Sequence, residues 1–125
     1  GEAPEKWNVT NPDIITSIHR AYFEAGANVV TTNTFGANPL KINNVFETVK
    51  AAVKNAKSAV FAREQYVALD IGPTGKLLKP LGDLDFEDAV RAFAETVKAG
   101  ASDCDLIIIE TMNDPYDDPP AIILL

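Results

Sequence analysis

The sequence predicts an α/β fold built from parallel βα repeats. Three short apolar runs rich in β-branched residues, "NVVTTN" (28–33), "YVALDI" (66–71) and "DLIIIE" (105–110), alternate with amphipathic helical stretches. Strands that alternate with helices imply right-handed βαβ units and a parallel sheet covered on both faces. The strand ends Asn33, Asp70 and Glu110 lie 37 and 40 residues apart. That even spacing suits a (β/α) barrel, and an open doubly wound sheet is nearly as compatible with it.

Each element has its own signals. Asn11 is an N-cap, Pro12 stands at the first helical position and Asp13 sits near the positive helix end. Ile14, Ile15, Ile18, Tyr22 and Ala25 recur at helical spacing as the inner face, and Gly26 supplies the stop. "NVVTTN" then reads as a strand buried on both faces. Val49, Val53, Ala56 and Val60 mark a second helix, followed by "YVALDI" and the turn "GPTG". Asp85 caps a third, with Phe86, Val90, Phe93 and Val97 inward and Gly100 at its end. After "DLIIIE", prolines 115, 119 and 120 stand where a fourth helix would need amide donors, so a turn or a delayed helix is expected there.

Composition excludes several function classes. The 125 residues carry a net charge of -7, which argues against nucleic acid or anionic membranes as partners. A single cysteine, Cys104, cannot form an intramolecular disulfide or complete a multi-thiolate zinc site. No apolar run reaches membrane-spanning length and no signal peptide pattern opens the chain, so a cytoplasmic setting is expected. No GxGxxG, Walker loop, nucleophile elbow or CxxC is present.

In parallel α/β folds the reactive face lies beyond the carboxyl ends of the strands. Asn33, Thr34, Asp70, Thr74, Glu110 and Thr111 all fall there. Thr32, Asn33 and Thr34 offer hydroxyl and amide groups, Phe35 an apolar wall, and Gly36 room for close backbone approach. The Asn and Thr groups either satisfy loop amides or line a pocket. Asp70 either holds the "GPTG" turn through backbone amides or contacts a ligand. Glu110 ends a deeply apolar strand, so it needs a cationic or hydrogen-bonding partner or must stay protonated; a substrate ammonium would serve. His19 has no second histidine for a metal site and reads as a surface or packing residue. Cys104, between Asp103 and Asp105, reads as an inert thiol.

Together, "PEKWNVTNPDIITSIHRAYFEAGANVVTTNTFGAN", "DIGPTG" followed by "PLGDLDFEDA", and "DLIIIETMND" resemble the homocysteine S-methyltransferase domain, as in cobalamin-dependent methionine synthases, from about residue 4 to 114. The resemblance implies a (β/α)8 barrel that binds homocysteine at its C-terminal face and activates the thiol on zinc. It places Glu110 at the amino acid end of homocysteine, Asn33, Thr34, Phe35 and Thr111 in the same strand-end motifs, and Asp70 with Gly72 in the loop that shapes the pocket. Cobalamin and methyltetrahydrofolate enter as possible cofactors through other domains. The family's DGAMGT-like strand and its three zinc-ligating cysteines have no counterpart here. The chain is therefore expected to be a single partial barrel, incomplete at both ends, with no metal ligands or catalytic residues of its own and little or no activity alone. The alternative is a non-catalytic half-barrel module that self-associates or docks a partner through open sheet edges. A third reading is a different barrel enzyme whose amine-bearing substrate meets Glu110.

Overall fold

The computed structural model describes residues 1–112. The proline-rich stretch lies outside the described residues. A 3-10 turn, Pro4–Lys6, leads into a single helical turn, α1 (Trp7–Thr10), and then α2 (Pro12–Glu24), β1 (Val29–Thr31), α3 (Val45–Ala59), β2 (Tyr66–Ile71), α4 (Phe86–Gly100) and β3 (Leu106–Ile109). Helices and strands therefore alternate in the expected order. The sheet runs β1-β2-β3 with both pairs parallel, in a register that aligns Val30 with Val67 and Asp70 with Ile108. Consecutive parallel strands with helices between them form part of a barrel wall, and all three carboxyl ends face the same rim.

Local chemistry explains the boundaries. Pro12 opens α2, and Gly26 closes it at φ 103°, donating its N–H to Phe23 while Ala27 donates to Tyr22. Asn11 and Asp85 occupy N-cap positions, yet neither side chain caps its helix: Asn11 donates to Thr10, and Asp85 pairs with Lys79.

The helix layer covers one face of the sheet and not both, because α2, α3 and α4 all pack on the side that carries Val30, Val67 and Leu69. Val49, Val53, Leu69, Ile71, Ala89 and Phe93 form the larger core between α3, β2 and α4. A second cluster joins Phe23, Val30, Ala56, Ala59 and Val67. At the amino end of the sheet, the Asp105 carboxylate accepts the Val67 amide at 2.8 Å and the Lys57 ammonium at 3.0 Å. That amide bond, reinforced by Lys57, holds the Asp105 carboxyl below its ordinary range.

Burial departs from expectation in three places. α2 buries Ile15, His19 and Phe23, while Ile14, Ile18 and Tyr22 stay exposed. Adjacent Ile14 and Ile15 start two stripes of equal spacing, and the stripe containing histidine is the one that packs against α3. Burial holds the His19 imidazole below its ordinary pKa, so packing favours its neutral form. The first strand is also covered on one face only. Val30 is buried against Phe23, Ala56 and Ala59, but Val29 and Thr31 point to the opposite face, which no helix among the described residues covers. Likewise Phe86 is exposed.

Leu69→Ala should lower stability by about 2–5 kcal/mol, whereas Ile18→Ala should cost less than about 1 kcal/mol. Urea denaturation monitored by circular dichroism separates the two outcomes.

Candidate functional site

The rim is organised by threonine hydroxyls. Beyond the last residue of β1, Thr32 donates its backbone N–H to the Ala68 carbonyl at 2.9 Å, and its hydroxyl accepts the Asp70 N–H at 3.1 Å. Thr34 donates its hydroxyl to the Asp70 carbonyl at 2.7 Å. With the Thr34 hydrogen committed there, the 2.7 Å contact between the two hydroxyls runs from Thr32 as donor to Thr34 as acceptor. Both threonines are fully buried, and they clamp the backbone of Asp70 from either side.

The Asp70 side chain is held without being satisfied. The residue is only 5% exposed, and its Oδ1 has no hydrogen-bond partner. Burial pushes its carboxyl up to about 7, and the neighbouring Glu110 carboxyl and the charge of Glu5 push in the same direction. Glu110 itself is exposed at the end of β3, where Thr111, at a left-handed φ of 56°, donates its hydroxyl to Glu110 Oε2 at 3.2 Å. That backbone conformation is unusual for a β-branched residue, and here it turns the hydroxyl back onto the carboxylate. Among the described residues, no lysine or arginine forms an ion pair with Glu5, Asp70 or Glu110. Asp70 makes no bond to the "GPTG" turn; Thr74 stabilises that turn through its own hydroxyl and Lys76.

The other candidates divide. A hollow of about 810 Å³ runs from Asp70, Thr34, Phe35 and Asn33 along β1 towards Trp7 and Tyr22. Gly72 allows the approach of Phe35, since a Cβ there would lie 2.5 Å from the Phe35 carbonyl oxygen. Phe35 remains partly exposed as a wall, with Lys41 over its ring at 5.5 Å. Asn33 has a structural commitment: its side-chain amide donates to the Pro4 carbonyl at 2.9 Å, and its backbone carbonyl accepts from the Asn8 side chain at 2.7 Å. Sequence reasoning missed Glu5, Asn8 and Asn55. Glu5 Oε1 accepts the Gly36 N–H at 2.6 Å, and Asn55 donates to the Asn8 carbonyl at 2.9 Å. A polar residue among the inward alanines of α3 was the one available signal for Asn55.

Residues 2–117 match the family described as homocysteine S-methyltransferase. The chain belongs to that family. It is similar to the methionine synthase of Mycobacterium leprae (strain TN), 33% identical over 86% of this chain and 10% of the relative's length. The methionine synthase of Mycobacterium tuberculosis (strain ATCC 25618 / H37Rv) is equally similar over the same shares. Among solved structures, the homocysteine methyltransferase MmuM from Escherichia coli in its metallated form superposes with a TM-score of 0.80 at 21% identity, over 95% of this chain and 49% of that one. Its apo form superposes at 0.76 with 22% identity, over 99% and 48%. The chain thus spans about half of those structures and a tenth of the methionine synthases, and its fold is a partial (β/α)8 barrel.

The described residues do not fit a zinc centre. They contain no group of three His, Cys, Asp or Glu side chains that could hold a metal. Cys104 lies at the amino end of the sheet, and burial pushes its thiol up to about 11, with Asp105 and Asp103 adding to the effect against Lys57 and Lys50. The acidic neighbours act as expected, but burial dominates.

The raised Asp70 carboxyl has a signed consequence for stability. Below its ordinary value of 3.8, folded and unfolded chains both hold the proton; between 3.8 and about 7 only the folded chain holds it, so this group's contribution falls as pH rises through that window. Asp70→Asn should therefore gain stability over the parent between pH 3.5 and pH 8, on the order of 2–4 kcal/mol. Urea denaturation of both proteins at the two pH values measures the difference, and His19 cancels because both proteins retain it.

Proposed function

We propose that this chain supplies the amino acid recognition half of a homocysteine pocket in an S-methyltransferase whose product is methionine. The observation that carries this reading is the buried, unpartnered Asp70 Oδ1 beside Glu110, at the strand-end rim of a family barrel, with no protein cation paired to either carboxyl among the described residues. An α-ammonium group entering there supplies the missing donor and charge, releasing the proton that Asp70 otherwise keeps near neutral pH. Glu110, oriented by Thr111, forms the second contact to the ammonium. Thr34 acts through the backbone of Asp70, Asn33 through the loop it holds, and Phe35 with Gly72 forms the apolar side of the pocket. Activation of the sulfur and the methyl donor, with zinc, cobalamin and methyltetrahydrofolate as the family candidates, belong to other parts of the complete enzyme. A reducing cytoplasmic setting suits a thiol substrate and a chain with a free cysteine. Among the described residues no helix is long and apolar enough to cross a membrane.

A second reading is a non-catalytic module that pairs with another copy of itself. It is favoured by the β1 edge, whose residues Val29 and Thr31 are exposed beside the uncovered Ile14, Ile18 and Tyr22 stripe.

Two experiments distinguish these readings. Homocysteine titrated into isotope-labelled chain should shift the amide signals of Asp70, Ile71 and Glu110, and Asp70→Asn should weaken that binding about 10-fold or more. Signals unmoved at saturating homocysteine would remove the substrate reading. Sedimentation equilibrium across micromolar concentrations tests the second: a monomer throughout removes it, and a dimer abolished by Val29→Lys supports it.

A further inference from the structure

Glu5 is a buried carboxylate for which the hydrogen bond alone gives no reason. It is 7% exposed and sits in the 3-10 turn Pro4–Lys6, where its Oε1 accepts the Gly36 N–H at 2.6 Å. A neutral glutamine carbonyl would accept the same bond without the cost of desolvating a charge. Gly36 is matched to this partner, because a Cβ at that position would lie 2.6 Å from the same oxygen. The turn carrying Glu5 is fastened to the strand-end loop by Asn33 on the Pro4 carbonyl and by Asn8, whose amide reaches both the Glu5 and Asn33 carbonyls. Glu5 therefore has a fixed place, and its charge acts on Asp70.

We infer that Glu5 is a positioning residue for the rim: its hydrogen bond to Gly36 sets the path of the loop that carries Phe35, and its negative charge, with that of Glu110, makes the space around Asp70 selective for a cationic group. The inference deepens the ammonium reading and rests on it. The groups facing Asp70 are Glu110 from the end of β3, Glu5 from the N-terminal turn and the two uncharged threonines following β1. Lys41, the nearby cation on the Phe35 side, stands over that ring and forms no ion pair with any of the three acids. Glu5 touches neither substrate nor reacting atoms, and its effect passes through Gly36 and through the field at Asp70.

Two substitutions separate the bond from the charge. Glu5→Gln keeps an acceptor for Gly36 and removes the charge; Glu5→Asp keeps the charge and shortens the reach. Carboxyl-detected NMR titration of the ligand-free chain should show the Asp70 midpoint lower by roughly 0.5–1 pH unit in Glu5→Gln. In Glu5→Asp the midpoint should stay raised while hydrogen exchange at the Gly36 amide quickens severalfold. An unmoved Asp70 midpoint in Glu5→Gln, or unchanged Gly36 exchange in Glu5→Asp, overturns the assignment. No ligand is needed for either readout. Failure of homocysteine to bind the parent chain would therefore count against the substrate reading alone.

Discussion

The structure depends on the continuation of strand pairing past the end of β1 by two buried hydroxyls. Thr32 and Thr34 take the N–H and the C=O of Asp70, so the backbone at the rim is bonded as firmly as the ladder below it. A buried backbone group left unpaired costs about 1–3 kcal/mol, which is why hydroxyls, and not an ordinary solvated turn, occupy these positions. The consequence is chemical as well as structural. A backbone fixed in this way projects the Asp70 carboxyl into a place where it cannot find its own hydrogen-bond donor. The strand that opens the barrel segment thereby presets the charge chemistry of the strand beside it.

Around this clamp the rim separates into supporting and presenting groups. Asn33, Asn8, Asn55 and Glu5 bond the N-terminal turn, the loop after β1 and α3 to one another. Phe35, Glu110 and Thr111 remain exposed, and the buried Asp70 borders the hollow beside them. Acidic groups with which no lysine or arginine forms an ion pair among the described residues are an unfavourable arrangement in isolation. A cationic group is the condition that relieves it, and the ammonium end of the proposed amino acid ligand has the required charge.

Much of this was legible in the sequence because strand and helix periods are local. Pro12, Gly26 and the three apolar runs placed the elements, and even spacing brought Asn33, Asp70 and Glu110 to one end. The faces were harder to read. Ile14 and Ile15 begin two stripes of equal period, and hydrophobicity cannot reveal that the one containing His19 is buried. Cover on β1 depends on neighbours that a local pattern does not contain. The roles of Asn33 and Glu5 arise from partners 29 and 31 residues away. An asparagine at a strand end looks the same whether it faces a ligand or the Pro4 carbonyl.

The most direct measurement is the titration of the Asp70 and Glu110 carboxyl carbons by NMR in the parent chain and in Glu110→Gln. Adjacent parallel strands ending at one rim predict that Asp70 titrates near 7 in the parent and at a lower pH once the Glu110 charge is gone. An Asp70 midpoint close to 4 that ignores the Glu110 substitution would contradict the shared rim and the site built on it.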